Sequence, residues 1–249
     1  MQALKDLLYK MADDALVIGH RNSEWTGIGP LLEEDLAFSS MAQDKVGHAQ
    51  ALYKIVHDLG EADPDTLGFK RSAKEFRNCQ FVELPIGEYD FSLARHFLFD
   101  HAELLRYEML VNSSFQPLAA MARKAKGEIK YHVFHADSWL KQLANGNEES
   151  KARMQSALNF AWHYALGIFE TGAFEEELKS QNIFAGEEAL KTEWLKRISA
   201  IIEGVGLNIP QTAETKIALG GRKGFHTEFL QPLLTEMTEV TNVDRGAEW

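Results

Sequence analysis

Proline is scarce in this sequence, and its placement decides what kind of backbone is available. Six prolines stand in 249 residues, at Pro30, Pro64, Pro85, Pro117, Pro210 and Pro232, so long intervals contain no residue that removes a helical hydrogen bond. Those intervals are patterned. Leu4, Leu7, Leu8, Met11, Ala15 and Ile18 follow the three-four spacing of one helical face until Asn22–Pro30 interrupts it. A second helix is expected from Leu31 to Leu59, closed by Gly60 and Pro64. A third should span Asp90–Val111, and a fourth should start near Pro117 and reach Leu143, where Asn145-Gly146-Asn147 stops it. Two more are expected over Glu149–Ser180 and Glu187–Gly204, and a last one near Thr227 with a kink at Pro232.

No stretch alternates apolar and polar residues in a sustained way, although Cys79–Leu84 could be locally extended. The expected fold class is therefore all-α: a four-helix bundle core over about residues 3–143 with additional C-terminal helices over about 149–240. With no repeat, low-complexity tract or linker in view, residues 1–249 read as a single helical domain.

Composition narrows the function. Twenty-six basic and 37 acidic side chains leave a net charge of −11, which argues against binding to nucleic acid or anionic membrane. The 45% hydrophobic share suffices for a core. The one cysteine, Cys79, can make neither an internal disulfide nor a metal knuckle, and Met1–Asp6 does not open like a secretory signal. No apolar run approaches the roughly 18 residues a membrane span requires. A cytoplasmic, membrane-free protein is expected.

A bundle of long helices raises the question of a carboxylate-bridged di-iron site, built from a Glu on two helices and Glu-x-x-His on the other two. None of the nine histidines has an acid three residues before it. Two acid–histidine pairs occur at the next offset, Asp44 with His48 on the second helix and Glu128 with His132 on the fourth, and four-residue spacing also shares a helical face. Gly47 and Tyr131 stand where the imidazoles would be expected. Such buried groups must pair, bind metal or reach water. Local pairing needs only Asp44 with His48 or Lys45, and Glu128 with His132 or His135. A metal site also needs carboxylates from the first and third helices, for which Asp13, Asp14, Asp100 and Glu103 are candidates. We read the pairs as a structural polar network. The alternative is a metalloenzyme in which Asp44, His48, Glu128 and His132 are joined by Asp14 and Glu103 around one or two irons.

Several strings are more specific than these pairs: Leu31-Leu-Glu-Glu-Asp-Leu-Ala37, Gln43-Asp-Lys-Val-Gly-His-Ala49, Glu128-Ile-Lys-Tyr-His132, Trp139-Leu with Asn145-Gly-Asn147, and above all Gly220-Gly-Arg-Lys-Gly-Phe-His-Thr-Glu228. Through them nearly the whole chain resembles the family of the C component of the bacterial ring-1,2-phenylacetyl-CoA epoxidase. The resemblance implies a ferritin-like fold and a structural role beside a homologous catalytic subunit, which holds the di-iron centre and epoxidises phenylacetyl-CoA. No cofactor is then expected in this chain. By position, Asp44, Gly47, Glu128 and Tyr131 are degenerate counterparts of metal ligands, with His48 as a departure that makes the remnant more ligand-like.

The remaining features weigh less. Arg222 and Lys223, in a glycine-rich turn before a helix, could contact a coenzyme A phosphate or an interface; the plainer reading is a turn whose basic residues meet an acidic partner. His226 and Glu228, two residues apart, point away from each other on a helix. Trp249 reads as a loose end or a docking plug. The expected assembly is a hetero-oligomer with the catalytic subunit, with a homodimer possible for the isolated chain.

Overall fold

The computed structural model describes residues 1–213 and 216–243, and Trp249 lies outside them. Among the described residues the regular structure is helical: α1 (Gln2–Ser23), α2 (Leu32–Asp58), α3 (Pro64–Phe69), α4 (Tyr89–Leu110), α5 (Gln116–Ala144), α6 (Glu148–Ala165), α7 (Glu175–Ser180), α8 (Glu187–Gly204), α9 (Leu230–Met237) and α10 (Glu239–Val243). The class is all-α, of the ferritin-like helical-bundle kind. No described helix is long and apolar enough to cross a membrane. The described residues group into two compact units, one of residues 1–7 and 86–219, the other of residues 8–85 and 220–243.

The first unit is organised around α4. Every residue from Phe91 to Tyr107 is buried, so this helix has no solvent face and packs against α5, α6 and α8. Trp194 of α8, wholly buried, donates its Nε1–H to the Leu98 carbonyl (2.9 Å) and stacks with Trp162 and Phe169 at ring-centroid distances of 5.5 and 4.9 Å. Arg106 forks onto both oxygens of Glu187 (2.5 and 2.9 Å), a planar match that fixes α8 along α4. Asn147 starts α6 by accepting the Ser150 N–H at 2.8 Å.

The helix expected to run from Glu149 to Ser180 instead stops at Ala165. A 3₁₀ turn follows over Leu166–Phe169, and α7 begins afresh at Glu175. At that turn the Ala218 N–H donates to the His163 carbonyl (3.1 Å), the acceptor a continuing α-helix would offer to the Gly167 N–H, and the Ala218 carbonyl passes so close to Gly167 that any Cβ would collide with it.

In the second unit α1 and α2 meet at Gly19, where a Cβ would stand 3.0 Å from Val46 Cγ2 and 3.3 Å from the Ala42 carbonyl. Pro64 does not merely end the preceding helix. It begins α3, with Asp63 capping the Thr66 N–H (2.9 Å), because proline's missing donor is no loss in a first turn. The segment expected to be extended at Cys79–Leu84 is a 3₁₀ turn over Gln80–Glu83 between extended residues. Pro232 causes no kink for the same reason as Pro64: it sits third in α9.

Candidate functional site

The polar residues that matter are interior, and each unit holds its own set. In the second unit α1 delivers Asp13 and Asp14 side by side, and both carboxylates are fully engaged. Asp13 accepts from Tyr53 Oη (2.5 Å), the Arg71 guanidinium (2.5 and 3.2 Å) and the Arg77 N–H (2.6 Å). The Arg71 guanidinium also lies 4.2 Å from the Phe76 ring centroid. Burial acts to lower Arg71, but Asp13 together with Tyr53 and Tyr9 outweighs it and raises the guanidinium further, whereas burial and then the Asp13 charge push the Tyr53 phenol well up. Asp14 takes a bidentate Arg222 (2.8 Å to each oxygen) and the Cys79 N–H (2.8 Å).

Arg222 therefore does not stand at a surface where a phosphate could reach it. It is buried and also donates to the carbonyls of Arg77 (2.9 Å) and Lys10 (3.3 Å), while neighbouring Lys223 faces solvent. Gly221 makes this seat possible, since a side chain there would strike the Asn78 carbonyl. Glu83, buried in the same loop, gathers Asn78 Nδ2 (2.8 Å), His226 Nδ1 (2.6 Å) and the Thr227 N–H and hydroxyl (2.7 and 2.6 Å). The string from Gly220 to Thr227 is thus a set of fasteners onto α1 and the 73–85 loop. Cys79 is buried and its thiol is pushed up by that burial, so it is not an activated nucleophile.

On α2 the buried line runs Phe38, Met41, Lys45, His48, Leu52, Val56, one residue turned from the expected line through Asp44. Asp44 is half-buried, and Lys45, wholly buried, occupies the seam one turn from His48. Gly47 faces outward onto an open groove of about 550 Å³ that Gly19, His20 and Ser39 also line. Burial lowers the pKa of the His20 imidazole.

In the first unit α5 is turned in the same sense. Its buried line is Leu118, Ala122, Ala125, Ile129, His132, Ala136, Leu140, leaving Glu128 half-buried on the shoulder and Tyr131 exposed. α4 adds Arg95, His96, Asp100, His101 and Glu103, all buried. His96 Nδ1 pairs with Asp100 Oδ2 (2.7 Å), and His101 Nε2 donates to Asp137 Oδ1 (2.8 Å).

A di-iron centre of the usual kind does not fit these residues. The positions for two of its imidazoles, Gly47 and Tyr131, lack a neutral nitrogen and face solvent, Asp14 has both oxygens on Arg222, and the buried side chain next along the α2 seam from His48 is Lys45, which is no usual iron ligand. Among the described residues no group of three or more His, Cys, Asp or Glu side chains is arranged to hold a metal ion. The sequence offered Lys45 only as a partner for Asp44, not as a buried seam residue, and did not bring Arg222 and Asp14 together; the one signal for burial of Lys45 was its seven-residue spacing from Phe38 and Leu52.

Fold and site define a ferritin-like helical protein in which the buried carboxylates of Asp13, Asp14, Glu83 and Glu187 accept from protein donors. The chain belongs to the phenylacetic acid catabolic protein family, whose model matches residues 1–249. It is 34% identical over 250 residues to the C component of the 1,2-phenylacetyl-CoA epoxidase of Escherichia coli (strain K12), covering the whole of both chains. It is also 26% identical over 145 residues to the A component of the same organism's epoxidase, an alignment covering 58% of this chain and 47% of that one.

Proposed function

We propose that this chain is a non-catalytic structural subunit of a phenylacetyl-CoA ring-epoxidising monooxygenase, pairing with and stabilising a homologous catalytic subunit that carries the di-iron centre. Phenylacetyl-CoA is met through the complex, in the cytoplasm, and this chain contributes no cofactor. The observation that carries the reading is the replacement of ligand chemistry by protein chemistry: Asp14 is held by Arg222, Lys45 fills the α2 seam beside His48, and Gly47 and Tyr131 turn outward. End-to-end similarity to the C component of an epoxidase supports it independently. The test is expression of the cognate catalytic subunit with and without this chain. Equal solubility and equal epoxidation by the isolated catalytic subunit would refute the proposal.

A second reading, a metalloenzyme with a non-standard site, draws on the buried imidazoles of His48 and His132 and the buried His96–Asp100 pair. Stoichiometric metal lost on Glu128→Ala would favour it.

A further inference from the structure

His226 is engaged at both ring nitrogens, and the identity of its partners decides where its protons sit. Nδ1 meets Glu83 Oε1 at 2.6 Å and Nε2 meets the Phe76 carbonyl oxygen at 3.2 Å. A carbonyl only accepts, so Nε2 carries a proton. Glu83 accepts as well: Asn78 Nδ2 donates to the same Oε1, the Thr227 N–H and hydroxyl donate to Oε2, and the Thr227 hydroxyl oxygen itself takes the Phe229 N–H (3.3 Å). Two acceptors require two protons. The side chain is thus an imidazolium, only 6% exposed, against a wholly buried carboxylate.

The other charged groups around His226 are of kinds that do not titrate with it. From α1, Arg21 donates to the Glu83 carbonyl (3.0 and 2.7 Å) and the Phe229 carbonyl (3.2 Å), and pairs with Glu24 (2.6 Å). From the 73–85 loop, Arg77 shares the Phe76 carbonyl (2.8 Å) and Arg71 lies over the Phe76 ring. Guanidinium groups keep their charge in proteins. On its own segment, Glu228 is exposed. Histidine is the residue type here whose charge changes near neutral pH.

What the pair holds is the end of the chain. Arg222, four residues earlier, seats Gly220–Gly224 on Asp14 through a guanidinium. Beyond His226 the chain turns into α9, whose Leu230, Leu233 and Leu234 are buried and which packs on the 3₁₀ turn Ala73–Glu75 of the same loop. A neutral imidazole would turn a bare nitrogen toward the carboxylate or the carbonyl, with no water to relieve it.

We propose that Glu83 and His226 form a pH-sensitive clasp. The segment from Phe225 through α9 is fastened to the 73–85 loop while the imidazole carries both protons, and it loosens when one is lost to water, with Arg222 keeping Gly220–Gly224 seated. Fastening is complete toward acid and lost toward alkali, because it is the folded state that holds the second proton.

Hydrogen exchange of the full chain, read by mass spectrometry from about pH 6 to about pH 9 with labelling times scaled for base-catalysed exchange, follows residues 225–237 against 218–224. Opening of 225–237 should rise about tenfold to hundredfold across that range, the loss of one charge-assisted hydrogen bond, while 218–224 stays unchanged. His226→Gln, whose amide still donates to Glu83 but has no proton to lose, should open more than wild type at the acid end and equally at every pH. The nitrogen-15 resonances that this variant removes should be those of an imidazole protonated at both nitrogens at neutral pH. If the variant does not fold, the wild-type series decides alone. Exchange of 225–237 that is flat with pH in the wild type, a His226 resonance with one bare nitrogen at neutral pH, or a rise shared equally by 218–224 and α1 overturns the clasp.

Discussion

Replacing Arg222 by Met tests whether the glycine-rich string is a fastener or a ligand site. The methionine keeps much of the stem volume and removes the charge, leaving the Asp14 carboxylate inside with only the Cys79 N–H, at 2.8 Å, from its present donors. The Arg77 and Lys10 carbonyls lose a donor as well. Breaking one side of a buried ion pair costs about 3–5 kcal/mol, much of it the desolvation of the partner left behind. For a chain of this length that lowers the Tm by about 6–20 °C. Changing Asp14 to Asn in the same background removes the stranded charge, so the double variant should be more stable than the sum of the two single losses, by about 1–3 kcal/mol. The assay is a double-mutant cycle by urea denaturation, followed by tryptophan fluorescence. An Arg222→Met variant within about 1 kcal/mol of wild type would refute the reasoning, because a cation that costs nothing to remove is not buried on a carboxylate. It would also return Arg222 to the surface role that its sequence context suggests.

Three further outcomes are expected. Gly19→Val should destabilise by about 1–3 kcal/mol, since its Cβ would press on Val46 and the Ala42 carbonyl, whereas Gly47→Ala, in open space on a helix, should stabilise by about 1 kcal/mol; thermal melts compare the two directly. Trp194→Phe removes the donor to the Leu98 carbonyl and leaves a gap beside Trp162, costing about 1–3 kcal/mol by denaturant titration. The Tyr9 phenol is pushed up to about 12 by burial and then by the Glu61 charge, so the folded state holds its proton longer than the unfolded chain does. Its contribution is therefore complete below about pH 10 and lost between about pH 10 and 12, and urea midpoints of Tyr9→Phe should fall less steeply than wild type across that window.

The bundle helices were legible because their evidence is local and repeated. Long proline-free intervals with a three-four apolar period gave α1, α2, α4 and α5 to within a few residues, and Asn145-Gly146-Asn147 marked the α5–α6 turn. The break at Ala165 was not legible, because the carbonyl that forbids a side chain at Gly167 belongs to Ala218, 51 positions later. The candidate site was read one residue out of phase. Asp44 and Glu128 sit on the shoulders of their helices, while Lys45 and Ile129 are buried; acid–histidine spacing marks a shared face but not which side of it turns inward. Lysine is rarely fully buried, so its place in the apolar period carries little signal in the sequence. The partners of Asp14 lie 65 and 208 positions away, and no spacing rule reaches so far.

Protein donors hold the Asp13 and Asp14 carboxylates, which removes both as metal ligands in the proposed structural subunit. The most direct test is elemental analysis of the chain purified from iron-supplemented cells. Well under one metal per chain is expected, unchanged by Glu128→Ala or Asp44→Ala. One or two irons per chain, lost in those variants, would contradict it.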